Sequence, residues 1–247
     1  MSARPVTVAL LAIGLAVLAA GLCTPWVRRG VVRRLFGPQA RAAALARYGP
    51  DARARLAPHF SRAGLAYPPA EVVLVGFKHE KRLEVYAAPE ADSLRPICSY
   101  PILGASGTLG PKLREGDGQV PEGLYRVEAL HPLSAFHLAL RLNYPNGDDL
   151  AQAESEGRTN PGGNIMIHGG KGSIGCLAMG DEAIEELYIL AADTGVERIG
   201  VILSPVDFRA RRLPAEAPKF RPWVRDLHGR LEAQVRKLPR AMADAGT

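Results

Sequence analysis

Seven residues separate His168 from Cys176, and four of them are glycine: Gly169, Gly170, Gly172 and Gly175. No other stretch restricts the fold as strongly. Asn164-Ile-Met-Ile-His168 is strand-like, and Cys176-Leu-Ala-Met179 follows the loop. Glycine enters backbone conformations closed to side chains with a Cβ, so the loop can double back and carry His168 toward Cys176. A thiol does acyl chemistry as thiolate, and a neighbouring imidazole can take its proton and return it to a leaving amine. Small residues beside the cysteine leave room for the backbone N–H groups of Ile174 and Gly175 to face a developing oxyanion.

Other chemistries fit the segment less well. A phosphate loop needs Ser or Thr directly after its lysine, and Gly172 separates Lys171 from Ser173. A zinc site needs further ligands at short spacing, and none lies nearby in sequence, so no metal is expected. A buried structural cysteine is the bland alternative, but it does not account for strand, histidine, glycine loop and cysteine in succession.

The chain has 247 residues and a formal charge of +6. Such a charge suits a polyanion, a membrane surface or a carboxylate-bearing polymer, without choosing among them. Aromatics make up only 6% of the residues, which leaves no stacking platform for single-stranded nucleic acid; no nucleic-acid partner is expected. Residues 6–22 are apolar or small except Thr7 and follow Arg4. They read as an export signal or membrane anchor over residues 1–23, with Ala19 and Gly21 as a candidate cleavage pattern. The bulky Leu22 before Cys23 is a poor lipidation signal. Arg28, Arg29, Arg33 and Arg34 pull the other way, because basic residues tend to remain cytoplasmic.

Residues 24–69 form a helical juxtamembrane spacer, read as two short helices ending at the Tyr67-Pro68-Pro69 break. Strand patterns then recur over 72–77, 82–86, 97–103, 123–128, 135–142, 164–168 and 198–203. One long helix is expected from Asp181 or Glu182 to Asp193, with Asp181 as N-cap, Gly195 as stop, and Ile184, Leu187, Tyr188 and Ala191 buried. The fold class is therefore mostly β with one long helix, a catalytic domain over 70–205 and helical flanks. Residues 206–247 read as a proline-rich linker and a basic amphipathic helix carrying Trp223, Leu227, Leu231 and Val235. That helix either lies on a membrane or packs on its own domain. Asp148 and Asp149 read as a solvated turn. His59, His79, His131 and His228 have no partner pattern, and Cys98 is expected as a free, buried thiol.

His168-Gly…Ser173-Ile-Gly-Cys176 resembles the signature of YkuD-type L,D-transpeptidases, exported cysteine enzymes of bacterial peptidoglycan. Gly116-Asp-Gly-Gln-Val-Pro121-Glu-Gly123-Leu-Tyr125 is similar to that family's strand entry. Leu109-Gly-Pro-Lys-Leu-Arg-Glu-Gly116 and Leu142-Asn-Tyr-Pro-Asn146 look like its YafK branch. The resemblance implies a YkuD-like mixed-sheet β-sandwich and attack on the position-three diamino acid of a stem peptide. The acyl group would pass through a Cys176 thioester to an amine or to water, without a cofactor. It implies Cys176 as nucleophile, His168 as proton donor and acceptor, and the Ser173 backbone carbonyl orienting the imidazole. Lys171, Tyr125 and His137 are candidate substrate contacts. Two positions depart from the usual pattern: Ile174 replaces a second histidine and Ala178 replaces an arginine. Ala178 and the short loop together lean toward water as acceptor. The expected partners are peptidoglycan stem peptides, a wall-linked lipoprotein in the hydrolase alternative, and the cytoplasmic membrane at the N-terminal segment. A non-catalytic wall-binding module is the further alternative.

Overall fold

The structure, a computed structural model, describes residues 25–89, 93–214 and 221–240, the first twelve as backbone only. The apolar segment 6–22 and Cys23 lie outside the described residues. The chain divides into compact units at Ala44/Leu45, and the second unit holds the sheet.

Eight strands form one mixed sheet: β1 (Glu71–Phe77), β2 (Arg82–Ala88), β3 (Arg95–Pro101), β4 (Gly123–Ser134), β5 (His137–Leu142), β6 (Met166–His168), β7 (Leu177–Ala178) and β8 (Ile199–Ser204). Their spatial order is β3-β2-β1-β8-β4-β5-β6-β7. The twelve-residue β4 joins two halves. Its first part pairs antiparallel with β8 (Gly123↔Leu203 to Arg126↔Gly200), and its later part pairs with β5 across a bulge between Val127 and Ala129. A bulge bends a strand and strengthens its local twist, so β5, β6 and β7 turn away from the β1–β3 half. The expected strands are present.

Helices contribute more than sequence periodicity showed. The first, α1 (Pro25–Ala63), is one continuous helix of 39 residues, not two short ones. Pro38 and Pro50 each remove one helical hydrogen bond, yet the alanine-, arginine- and leucine-rich surroundings favour helix strongly enough to carry it through. Its last turns belong to the domain. Ala52, Leu56 and Phe60, spaced by four, are fully buried, and Arg53 grips Asp193 through two nitrogens at 2.7 and 2.8 Å.

Helix α2 (Gly147–Ser155) was not expected. Asn146 caps it in a reciprocal box with Asp149, so the Asp148-Asp149 pair forms a helix's first turn. Acidic residues there meet the positive end of the helix dipole. Helix α3 (Asp181–Thr194) buries Ile184, Leu187, Tyr188 and Ala191 as expected.

Helix α4 (Pro222–Lys237) turns Val224, His228, Leu231 and Val235 inward. Leu231 and Val235 pack with Val75, Phe77, Tyr86, Val206 and Phe208. Its apolar face is thus covered by its own domain, and the stripe runs one position on from Trp223 and Leu227. Among the described residues no helix is long and apolar enough to cross a membrane.

Candidate active site

Strand β6 lies between β5 (Ala139↔His168) and β7, which runs parallel to it (Ile167↔Leu177, His168↔Ala178). Ile167 and Leu177 point into the core. Side chains alternate along a strand, so His168 and Met166 occupy the opposite face. Continuing the parallel register by one residue sets Cys176 beside Met166, on the face used by His168. That face is not open above the histidine. The ring of Phe136, half exposed itself, stacks on the imidazole at 4.8 Å and 30°.

His168 Nδ1 lies 2.7 Å from the carbonyl of Gly169. A carbonyl only accepts, so Nδ1 carries the proton and the lone pair of a neutral ring sits on Nε2. This carbonyl is Gly169's, not Ser173's as expected. Gly169 must be glycine: a Cβ would stand 2.6 Å from Asp181 Oδ1 and 2.7 Å from the Phe136 carbonyl oxygen. Asp181 does not cap α3, whose N-cap is Gly180. Its carboxylate turns back to accept the Gly170 N–H at 2.8 Å and fastens the loop.

Ser173 has a different task. Its hydroxyl accepts the Cys176 N–H at 2.9 Å and donates to the Cys176 carbonyl at 2.6 Å, closing the turn before the cysteine. Gly175, at φ +93°, donates its N–H to Ser106 Oγ at 2.7 Å, and Ser106 donates onward to the Gly118 carbonyl. The Gly175 and Cys176 N–H groups are therefore already engaged. The expected oxyanion role of Gly175 is not preformed, and Ile174 beside it is 86% exposed.

Cys176 is half-buried, with a free thiol. The sulfur donates to the Asn164 carbonyl at 3.7 Å. Burial pushes the thiol pKa up; the Met166 backbone N–H and the charge of Lys112 offset this in part. The balance favours the protonated thiol over the thiolate. Among the described residues no hydrogen bond joins His168 directly to Cys176. Such contacts commonly tighten only when substrate binds.

Lys112 was missed by sequence reasoning, although it stands in the Leu109–Gly116 motif. It is 6% exposed, with Nζ held by Asp117 at 2.6 Å and the Arg114 carbonyl at 2.9 Å. Ser106, Phe136 and Asn164 were also missed; each acts through tertiary contacts that no local spacing announces.

The remaining expected contacts are placed elsewhere. Lys171 is exposed on the loop, and its carbonyl presses on Gly104, where a Cβ would lie 2.1 Å away. Tyr125 is buried, with its hydroxyl 3.2 Å from both the Glu122 carbonyl and Asp149 Oδ1. It lines a separate cavity of about 230 Å³ together with Lys112, Asp149, Arg158 and Trp223. Burial drives the Asp149 carboxyl up to about 6 there. His137 turns its Nε2 to Glu185 at 2.9 Å and meets Tyr48 edge-on at 4.9 Å. Neither side chain joins the thiol. Ala178 is fully buried, with its backbone paired to Gly104, so its small side chain does not open the site to solvent. Cys98 is buried and not disulfide-bonded, as expected, its thiol donating to the Tyr100 hydroxyl at 3.4 Å.

The site thus combines a half-buried thiol, an imidazole of fixed tautomer and a glycine loop fastened by Asp181, Ser173 and Ser106. Residues 79–200 match the model of the YkuD L,D-transpeptidase catalytic domain. YafK of Escherichia coli (strain K12), named as a candidate L,D-transpeptidase, is 38% identical over 114 residues, which is 45% of this chain and 44% of YafK. The match therefore spans less than half of that relative. Among solved structures, the helical cell shape determining protein Pgp2 from Campylobacter jejuni is 26% identical with a TM-score of 0.45, over 55% of this chain and 48% of Pgp2. L,D-transpeptidase 1 from Mycobacterium tuberculosis is 12% identical with a TM-score of 0.31, over 54% of this chain and 61% of that one.

Proposed function

We propose that the protein is a cysteine-dependent acyl transferase of peptidoglycan stem peptides. Cys176 Sγ attacks the carbonyl of the position-three diamino acid while His168 Nε2 takes the thiol proton. The amide bond to the next residue breaks, His168 returns the proton to the leaving amine, and a thioester remains. An incoming amine or water then attacks the thioester, transfers its proton to His168 and frees the thiol. Gly169 O fixes the tautomer that makes Nε2 the base. The observation that carries this reading is the His168 Nδ1–Gly169 O bond, at the end of the strand that pairs with the one Cys176 leads into.

The substrate and the site of action, outside the cytoplasmic membrane, follow from the family and are part of the proposal. Release of a wall-linked lipoprotein is the same chemistry with water as acceptor. The test digests purified sacculi with wild type and Cys176→Ser and resolves the muropeptides by mass spectrometry. Wild type should form links between third residues, remove the fourth residue, or release lipoprotein from wall that carries it. Cys176→Ser should do none of these, since a serine hydroxyl lacks thiolate character. A wall-binding module without catalysis would leave every muropeptide unchanged while still sedimenting with sacculi.

A further inference from the structure

Asn164 combines two features that meet nowhere else in the site. It is a non-glycine residue at φ +54°, in the left-handed region that opposes a Cβ and that Asn tolerates better than most residues. Its carbonyl is also the acceptor for the Cys176 thiol. The backbone around it is gripped on both sides. Gly163 donates its N–H to Glu115 Oε2 at 3.2 Å, and the Ile165 carbonyl accepts from Leu142 N–H at 2.9 Å. Between these anchors the left-handed turn swings one carbonyl out of the strand direction and toward the sulfur. The charged or titratable groups around this turn are Lys112, whose charge reaches the thiol, Asp117 on the Lys112 Nζ, Glu115 on the Gly163 N–H, and His168 on the same sheet face.

We propose that Asn164 is a positioning residue for the nucleophile: its left-handed backbone aims its own carbonyl at Cys176 Sγ and sets where the sulfur rests before substrate arrives. The inference rests on Cys176 being the nucleophile. A carbonyl acceptor stabilises the protonated sulfur and opposes the thiolate. The sulfur must leave Asn164 O as it ionises, with the Met166 N–H beside it as donor. The role belongs to the backbone, so a residue that keeps the left-handed turn should keep it.

The test follows iodoacetamide alkylation of Cys176 against pH, read by mass spectrometry on the Cys176 peptide, in wild type, Asn164→Val and Asn164→Gly. Thermal melting checks that each variant is folded. A β-branched residue disfavours positive φ, so in Asn164→Val the alkylation midpoint should fall by about one pH unit and turnover on sacculi by about tenfold. Asn164→Gly should restore the wild-type midpoint. If Asn164→Val does not fold, Asn164→Ala is read in the same way. A folded Asn164→Val with the wild-type midpoint overturns the proposal, and so does Asn164→Gly shifting as far as valine. Alkylation needs no peptidoglycan. A shifted midpoint in a protein with no activity on sacculi would therefore sink the acyl-transfer reading and leave the positioning of the sulfur standing.

Discussion

His168 and His228 are buried alike, at 3% and 4% exposure, yet they sit in opposite electrostatic settings. His168 meets a carbonyl at 2.7 Å. His228, on α4, meets the Glu122 carboxylate at 2.6 Å, and Glu122 also takes Lys78 at 3.0 Å and the Gly110 N–H at 2.7 Å. A carbonyl fixes tautomer and angle but adds no full charge, so the ring keeps a lone pair to work with. A carboxylate adds charge to the hydrogen bond and clamps the ring. Partner type, more than burial, separates a histidine that can move a proton from one that ties a helix down.

The contrast breaks most sharply under alanine. His168→Ala should lower turnover on peptidoglycan by about 10²–10⁴-fold, far out of proportion to the modest loss of melting temperature that truncating a buried ring brings. His228→Ala should do the reverse, costing roughly 2 kcal/mol by removing a charge-assisted hydrogen bond from a buried carboxylate that Lys78 and the Gly110 N–H still hold, with Cys176 alkylation preserved in the folded protein. Loss of the same property in both variants would remove the distinction.

Acid offers a smaller effect. Burial pushes the Glu122 carboxyl up, but Lys78, His228 and Gly110 more than offset it and hold it below the ordinary glutamate range. A lowered carboxyl stabilises the fold fully above its unfolded value, 4.5, and the contribution is lost as pH falls through the folded value. Melting curves of Glu122→Gln should therefore show a shallower acid limb than wild type. Equal limbs would mean that the clamp does not depend on charge.

The smallest effect is expected at Phe136. Stacking of this kind contributes about 0.5–1.5 kcal/mol, so Phe136→Ala should slow turnover by about three- to tenfold while leaving α4 and the melting temperature in place. Phe136→Leu, which keeps some cover over the imidazole, should lose less. An alanine variant with full turnover would show that the stack does not steady His168.

The sequence carried the His168–Cys176 loop, the strands and α3, because glycine spacing and hydrophobic periodicity are local signals. It failed where the deciding contact comes from far along the chain. Tyr125 was taken for a cleft residue but bonds to Asp149, 24 positions away. Ser173 was given a carbonyl role that Gly169 holds, because the orientation of one carbonyl within a glycine loop leaves no mark on residue spacing. His228 had no partner pattern, since Glu122 lies 106 positions upstream. Helix α2 was legible in part: Asn146 with Asp149 three residues later is a capping pattern, masked by the turn-like Pro145-Asn-Gly147.

Strand β8 is the last of the eight to be synthesised, yet it lies at the middle of the sheet, parallel to β1 on one side and antiparallel to β4 on the other. A growing chain that has reached Thr194 contains the other seven strands but not the one that joins β1 to β4. Assembly must wait for Ile199–Ser204 to emerge, more than a hundred residues after β1. Closing so long a loop is slow. A ribosome stalled before β8 therefore leaves β6 and β7 made without the strand that links them, through β5 and β4, to the β1–β3 half.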